Sequence, residues 1–483
     1  MREFFLISVF ILFCLSSQSN QPPLKNKSDR ITVYNKNPYY WQYKGKPVML
    51  LGGSWQDNLF NHPVGLSKHL DLLLEVGGNY VRNTMSHRNK GNVFAYAREL
   101  DGRFNLDRFN DEYWTRFENF LELCYKRDII VQIEIWDPWD YYEDHQSFGG
   151  WSHHPFNPAN NISYTAEESC LPDKIEYAPH YEPTEHLFFR TVPSLNHNLP
   201  VLKYQQAFID KLLSITLRYP NILYCINNES GERIEWSNYW ANYLHEAAKK
   251  AGVIIYVTEM RRNYEVQAAD HRQVYDYPER YNFLDISQNT AWTGPGQGHY
   301  NNIMYVRDYI SDNPRPINNI KNYGSSKQGG YETVARFCRL VFAGCASVRF
   351  HRPHPIEDPN QKEASTHFGL GLSPIAQQVI QSMRWIMDEI EFASSKPRTE
   401  LLLNREENEA YLLAVPGKQY AVYFPKGGEV ALDLATEGGN WEIRWRSVLD
   451  GTIQTDKPVK GGIPVTLKAP GPGHWVVILK SIK

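Results

Sequence analysis

Residues 113–136 read YWTRFENFLELCYKRDIIVQIEIW, and this stretch decides the fold class. Its first part carries apolar residues at helical spacing, and its last part, 129–136, is a short run rich in isoleucine. A helix that leads directly into a buried strand is the repeating unit of an α/β fold. The same alternation recurs along the chain from residue 47 to residue 351.

The series of strand-like runs predicts a closed (β/α)8 barrel, the TIM-barrel architecture of the α/β class. An open doubly wound sheet is the alternative, but no glycine-rich phosphate-binding loop follows the first run. The predicted strands are PVMLLGG (47–53), NYVRNT (79–84), IIVQIEIW (129–136), ILYCINN (222–228), VIIYVTE (253–259), FLDISQN (283–289), PINNIKNY (316–323) and ASVRFH (346–351).

The pattern changes after the helical stretch SPIAQQVIQSMRWIMDEI (373–390). Residues 399–483 alternate apolar and polar positions between Gly, Pro, Asp and Asn, which is typical of a small antiparallel β-sandwich. We therefore expect a catalytic barrel over residues 30–395 and a β-sandwich over residues 397–483. The sandwich is expected to act as structural support.

The first 19 residues, MREFFLISVFILFCLSSQS, carry one Arg and then an apolar run from Phe4 to Leu15. That run is short for a membrane span and is typical of a secretory signal peptide. We therefore expect an exported protein, periplasmic or secreted. Cys14 is a candidate lipid-anchor residue, but the bulky Phe13 before it disfavours lipidation. No later stretch is apolar enough to predict a membrane span.

Composition disfavours several function classes. The formal net charge of −3 creates no bulk positive field for nucleic acid. Five cysteines follow the predicted signal, and their scattered spacing predicts neither a disulfide framework nor a metal site. We expect no metal and no organic cofactor, and these features leave the oligomeric state open.

Candidate functional residues follow from the fold, because a (β/α)8 enzyme carries its active site at the carboxyl ends of its strands. Tryptophans in loops or at strand ends are expected to stack on sugar rings. These are Trp55, Trp136, Trp139 and Trp292. The other candidates are Asp57, Arg82, Asp137, Asn228, Glu229, Glu259, Lys321, Tyr323, Arg349, His351, Arg352 and His354. The long segment between about Asp137 and Val201 is expected to form a lid or a subsite wall.

The fourth run ends in Asn228-Glu229, which resembles the clan-A glycoside hydrolases. The resemblance implies an acid/base role for Glu229 and sugar binding by Asn228, and Arg82 resembles an arginine that those enzymes carry after strand two. The segments PINNIKNYG (316–324), GYETVARFCRLVFAGCASVRFH (330–351) and HFGLGLSPIAQQVIQSMRWI (367–386) resemble the apiosidase-like branch. The C-terminal sandwich resembles a β-domain, named for collagen binding, that is often fused to that branch.

The seventh run departs from the family pattern at Lys321. Members of the branch read like P-V-x-N-x-E there, and the Glu is the nucleophile. Pro316, Ile317 and Asn319 keep that spacing, but a lysine stands where the acid is expected. Retaining hydrolysis needs two carboxyl groups about 5–5.5 Å apart, one of which attacks the anomeric carbon. Because lysine cannot replace that attack, the standard retaining mechanism is in doubt.

The preferred hypothesis is elimination at a non-reducing-end uronic acid of an acidic oligosaccharide, which gives an unsaturated sugar. Lys321 or His351 is the candidate base for the C5 proton, and Glu229 or Tyr323 is the candidate acid for the departing oxygen. Arg349 and Asn228 are candidates to hold the enolate-like charge. A basic cluster is available to bind the sugar carboxylate and consists of Lys321, Arg349, His351, Arg352 and His354.

Two alternatives stay open. A glycoside hydrolase would use Glu229 as general acid and Asp137 or Glu259 as a displaced base, since inverting enzymes separate their carboxyls by about 6.5–9.5 Å. Against that role, Glu259 could simply pair with Arg261 or Arg262. The remaining alternative is a catalytically dead carbohydrate-binding protein.

Overall fold

The computed structural model describes residues 29–142, 150–175, 186–289, 296–324, 329–353 and 369–482. Eight parallel strands form the central sheet and pair in their chain order, and the first strand also pairs with the eighth. The predicted (β/α)8 barrel is therefore confirmed. The strands are β1 (Leu50–Gly53), β2 (Tyr80–Thr84), β3 (Ile130–Trp136), β4 (Ile222–Asn227), β5 (Val257–Thr258), β6 (Leu284–Asp285), β7 (Ile317–Asn322) and β8 (Ser347–Phe350).

The barrel is nearly closed. Among the described residues no backbone ladder joins β5 to β6, and the gap is bridged where Val257 N donates a hydrogen bond to the side chain of Asn282 at 2.7 Å. Gly52 allows β1 and β2 to approach closely, because a Cβ at this position would lie 1.9 Å from the carbonyl oxygen of Tyr80.

Helices surround the barrel and alternate with its strands. The segment predicted as helical from residue 113 forms α2, whose first turn is capped by the side chain of Asn110 accepting from Glu112 N. The α-helices are α1 (Leu66–Glu75), α2 (Asp111–Tyr125), α3 (Ala166–Ser169), α4 (Leu199–Thr216), α5 (Ile234–Lys250), α6 (Ala269–Tyr275), α7 (Gln297–Tyr309), α8 (Gly329–Phe342) and α9 (Pro374–Glu389). Short 3-10 helices are Leu59–Asn61, Pro138–Asp140, Trp151–His153, Leu187–Arg190, Phe392–Ser394 and Thr399–Leu401.

Two small sheets accompany the barrel. An antiparallel sheet of Thr32–Val33, Trp41–Tyr43 and Lys46–Val48 lies near its amino-terminal end, where Trp41 Nε1 donates to the side chain of Asn318 at 2.9 Å. A hairpin of Tyr96–Arg98 and Phe104–Phe109 follows β2.

Strand β7 is irregular around Lys321. Its register against β8 shifts between Asn319 and Asn322, so Lys321 lies inside a bulge. The hydroxyl of Ser287 accepts from the backbone N–H groups of both Ile320 and Lys321, at 2.8 and 3.1 Å. Bulges re-aim side chains at the rims of barrels, and this one sets the direction of Lys321.

The C-terminal residues form two antiparallel sheets that enclose their own apolar core, as predicted. Helix α8 packs against this domain, with Tyr331 Oη donating to the carbonyl oxygen of Pro425. The first sheet contains Lys396–Pro397, Tyr411–Val415, Gln419–Phe424, Trp475–Ile482, Asn440–Ser447 and Ile453–Lys460. The second contains Leu402–Leu403, Glu429–Leu432 and Val465–Lys468.

In the described part of the chain, no helix combines the length and the apolar character that crossing a membrane requires.

Candidate active site

The carboxyl ends of β4 and β7 bring a lysine and a glutamate together. Nζ of Lys321 forms an ion pair with Oε1 of Glu229 and donates a hydrogen bond to Oδ1 of Asn228 at 2.9 Å. The Lys321 side chain is 1% exposed, whereas that of Glu229 is 13% exposed. The lysine thus forms the floor of the site, and the glutamate is its more accessible partner.

Burial gives Lys321 the electrostatics of a candidate base. Loss of solvation lowers the pKa of its amine, Arg82 lowers it further, and Glu229 and Glu134 act in the opposite direction. The net direction is downward, so removing the proton from Lys321 is easier than from an exposed lysine.

The backbone of Glu229 is strained. Its φ angle of 53° lies in the left-handed region, which a residue with a side chain rarely adopts. Such strain is concentrated at functional sites, where the surrounding structure maintains it. Here the neighbouring N–H groups are tied down, since Asn228 N donates to Trp136 O and Ser230 N donates to Met260 O.

A second charged cluster is centred on Asp57, which follows β1. Arg82 Nη1 lies 2.6 Å from Oδ1 of Asp57, and Arg352 Nε lies 2.6 Å from Oδ2. Burial alone would raise the pKa of Asp57, but Arg82, His351 and Arg352 together hold that pKa well below its usual range. Asp57 is therefore a fixed negative charge that organises the cations around it.

Arg82 and Arg349 are parts of the barrel interior. Arg82 is shared between Asp57 and Glu134, with Nε 2.8 Å from a carboxylate oxygen of Glu134. Arg349 donates to the carbonyl oxygen of Ile320 at 2.9 Å and to the hydroxyl of Ser54. Both side chains are buried. In this conformation both guanidinium groups bind partners inside the protein.

The accessible members of the site are fewer than the candidates. Trp55 is 42% exposed, and His351, Arg352 and Tyr323 are partly exposed. The rings of Tyr323 and His351 make an edge-to-face contact at 5.3 Å. Burial lowers the pKa of His351 well below its usual value, so the ring is neutral near pH 7. Its Nδ1 lies 3.0 Å from the carbonyl oxygen of Arg352, to which a neutral ring donates, leaving Nε2 without a proton.

Asp137 is joined to the floor through Asn228, whose Nδ2 donates to its Oδ1 at 3.0 Å. Its other oxygen forms an ion pair with Arg88. Sequence reasoning missed Arg88, which lies beyond the predicted end of strand two. Four side chains, Arg88, Asp137, Asn228 and Lys321, thus form one continuous buried chain of contacts.

Two candidates lie outside this cluster. Trp136 packs against Phe208 of α4 and Trp240 of α5, with ring centroids 5.4 and 5.5 Å away, and its side chain is buried. The sugar-stacking role expected for Trp136 does not fit this position, because its ring faces the helix layer.

Glu259 also faces the helix layer. Its carboxyl oxygens accept from Nδ2 of Asn227 at 2.9 and 3.0 Å, and Ser237 of α5 adds a hydrogen bond. Burial raises the pKa of Glu259 to about 8, although the charge of Arg261 opposes the shift. A buried, largely protonated carboxyl in this position does not suit a displaced base.

The long segment after β3 is largely a packed aromatic layer where it is described. Its rings contact one another and α5 instead of forming an open surface, as in the Tyr141–Phe188 contact at 4.3 Å and the Phe189–Trp236 contact at 5.2 Å. Of the remaining candidates, Trp139 is half-buried, and its N–H donates to Asp137 Oδ1 at 3.3 Å. Trp292, His354 and the predicted signal peptide with Cys14 lie outside the described residues.

The sequence matches no protein-family model and no curated protein. The fold does match solved structures. A glycoside hydrolase family 5 protein from Bacteroides vulgatus aligns with a TM-score of 0.63 and 13% identity, over 94% of each chain. A structure described as a glycoside hydrolase aligns with a TM-score of 0.61 and 12% identity, over 94% of this chain and 97% of the other. A family 5 mannosidase from Rhizomucor miehei aligns with a TM-score of 0.50 and 12% identity, over 76% of this chain and 99% of the other.

At these identities the likeness establishes the fold alone, a TIM barrel followed by a β-domain. The first two alignments extend over nearly the whole chain, and therefore over the C-terminal domain as well as the barrel.

Proposed function

We propose that this protein is a carbohydrate-active enzyme that eliminates water across C4–C5 of a uronic acid at the non-reducing end of an oligosaccharide. One observation carries the proposal. A buried lysine, Lys321, occupies the strand-seven position expected for a nucleophilic acid and pairs directly with Glu229 of strand four.

The charges around the pair favour elimination over nucleophilic attack. Retaining hydrolysis requires a second carboxylate about 5–5.5 Å from the acid/base. In the described part of the site, Asp57 is paired with Arg82 and Arg352, and Asp137 with Arg88. A site whose carboxylates are balanced by cations is suited to an anionic ligand and to the negative charge that follows proton removal.

The Lys321–Glu229 contact supplies a base and an acid in one step. When the shared proton lies on Glu229, Lys321 is a neutral amine. Nζ then takes the C5 proton, the C5–H electrons form the C4–C5 double bond, and the C4–O bond breaks. Glu229 gives its proton to the departing C4 hydroxyl oxygen, which leaves as water. Transfer of a proton from Lys321 back to Glu229 restores the pair, so no outside co-reactant is required.

Recognition of the acidic group falls to Arg352, a partly exposed cation. The Nε atom of Arg352 is held by Asp57, its Nη1 donates to the carbonyl oxygen of Pro353 at 3.4 Å, and the side chain is partly exposed. A carboxylate bound there loses part of its negative charge, which acidifies the neighbouring C5 proton. The exposed ring of Trp55 provides an apolar face for the sugar.

Glycoside hydrolysis is the second candidate, and it is favoured by the solved structures of similar fold, which are described as glycoside hydrolases. In that case Glu229 would act as general acid and Asp137 as the base that activates water. Asp137 would then have to act while paired with Arg88 and Asn228.

One assay separates these functions. The protein is incubated with an oligosaccharide that ends in a uronic acid, and the products are followed by mass and by the ultraviolet absorbance of a C4–C5 unsaturated uronate. Elimination predicts new absorbance together with the loss of one water from the oligosaccharide. Hydrolysis predicts a new reducing end without absorbance, and binding without turnover would leave a carbohydrate-binding protein.

A further inference from the structure

Asn228 has a different task from the sugar binding that the family resemblance implies. Its Nδ2 donates to Asp137 at 3.0 Å, and its Oδ1 accepts from Lys321 at 2.9 Å. All three side chains are buried. The amide is therefore engaged at both ends within the protein and connects Asp137 to the lysine.

The orientation of this amide follows from the chemistry of its neighbours. An ionised carboxylate can only accept hydrogen bonds, so the NH2 group of Asn228 has to face Asp137. The carbonyl oxygen must then face Lys321. The reversed amide would place one donor against another at Lys321 and one acceptor against another at Asp137.

Asp137 is itself held in place. Its Oδ1 also accepts from Trp139 N at the start of the 3-10 turn, and its Oδ2 forms an ion pair with Arg88. Arg88 is anchored in turn by Ser86, whose hydroxyl lies 3.0 Å from Nε and donates to Asp140 at 2.9 Å. The carboxylate therefore has a fixed orientation before any ligand is bound.

We propose that Arg88 and Asp137 are positioning residues that fix the amide of Asn228, and that the fixed amide leaves one defined bonding position of Lys321 Nζ for the sugar. A neutral amine has two N–H groups and one lone pair. When the proton of Glu229 lies on its Oε2, Asn228 and Oε1 of Glu229 each accept one N–H, and the lone pair is left as the remaining position. Arg88, Asp137 and Asn228 together form a relay of contacts to Lys321. This relay selects the direction from which Lys321 can take a proton. This inference rests on the proposed function for its catalytic consequence, but the relay itself is a property of the unliganded protein.

The test uses the full-length protein without substrate, labelled with 13C at Cε of lysine. The Lys321 signal is assigned by its loss in Lys321→Arg, and its titration is compared in wild type, Asp137→Asn and Asn228→Ser. The charged groups that face Lys321 are Glu229 from β4, Arg82 from β2 and Glu134 from β3, and neither relay variant removes them. Asp137→Asn removes one of the two carboxylates that pair with Arg88, and Asn228→Ser removes an acceptor. Both are expected to move the Lys321 midpoint to lower pH.

Glu232→Gln is the matched control. Glu232 is a buried carboxyl close in sequence to Glu229, but it accepts from Tyr142 at 3.1 Å and stands apart from the relay. The Lys321 signal should keep its wild-type titration in this variant. With substrate, the relay variants should lower kcat by about 10- to 100-fold with little change in KM, because misplacement of the base costs rate more than affinity.

An unchanged Lys321 titration in both relay variants overturns the relay, whatever the reaction turns out to be. If Asp137→Asn does not fold, Asn228→Ser decides alone, because it leaves the Arg88–Asp137 pair in place. A shifted titration in a protein whose wild type forms no unsaturated product keeps the relay and rejects the elimination.

Discussion

The barrel places two regions of opposite character side by side at the carboxyl ends of its strands. One is the charged site, in which Lys321, Glu229 and Asp57 lie among arginines. The other is the aromatic layer between β3, α4 and α5, defined by Trp136, Tyr141, Trp151, His154, Phe188, Phe189 and Trp236. Both regions come from residues that, in the sequence, look like ligand-binding residues at strand ends.

The two regions differ in what burial does to them. Burying an aromatic ring among other rings stabilises the fold. Burying a charge costs free energy that even good pairing offsets only partly. The aromatic layer therefore has a sufficient explanation in stability, whereas for the buried charges of the site we propose a chemical role. Variants that separate stability from turnover test this distinction.

The largest effect is expected for Lys321→Gln. The amide can still donate to Asn228 and Glu229 but cannot remove a proton, so kcat should fall by about 1,000-fold. The free energy of unfolding should change by about 1 kcal/mol or less, because the donors are replaced. Product formation and chemical denaturation of the same preparation measure both quantities. Undiminished turnover would remove Lys321 from any essential catalytic role.

Trp136→Ala should show the reverse behaviour. Truncating a buried tryptophan leaves a cavity and should lower the free energy of unfolding by about 3–5 kcal/mol. Turnover per folded molecule should stay close to wild type. Trp55→Ala is the control, because its exposed ring contributes little to stability and its loss should instead raise KM. A large loss of sugar affinity in folded Trp136→Ala would place Trp136 in the binding site after all.

Arg352→Gln should affect recognition of the acidic group. Losing a charge-assisted hydrogen bond should raise KM for a uronate-terminated oligosaccharide by about 10- to 100-fold. Binding of a neutral oligosaccharide of the same length should change little. Calorimetric titration of both ligands measures the difference, and Arg108→Gln on an exposed part of the barrel serves as control. Equal losses for both ligands would argue against a carboxylate contact at Arg352.

The smallest effect on turnover is expected for Glu259→Gln, whose effect should instead appear in the pH dependence of stability. Because its folded-state pKa of about 8 exceeds the ordinary value of 4.5, the folded chain keeps a proton that the unfolded chain has released. Stability therefore falls as pH rises between those two values. The variant should remove part of that fall, as seen in denaturation curves collected from pH 5 to about pH 8. The exposed Glu407→Gln should leave the curve unchanged.

Sequence reasoning located the charged site more accurately than the aromatic one. The alternation of strand and helix placed Glu229 and Lys321 at the carboxyl ends of β4 and β7, and the structure brings these ends into contact. Trp136 and Glu259 occupy equivalent positions along β3 and β5, but their side chains face the helices. The backbone direction varies widely at the end of a strand. The position of a residue along the strand therefore does not determine whether its side chain faces the barrel interior or the helices.

The family resemblance, and not periodicity, predicted an acid at the position of Lys321. By itself, the sequence determined the repeating strand–helix order and the change to an antiparallel β-domain. Those properties follow from periodicity and residue identity, which are local along the chain. Only the tertiary structure decided that Lys321 contacts Glu229, that Arg88 holds Asp137, and that Arg82 and Arg349 lie in the interior. These contacts join residues far apart in the chain, and they depend on the bulge in β7 and on how charges are neutralised when the barrel excludes water.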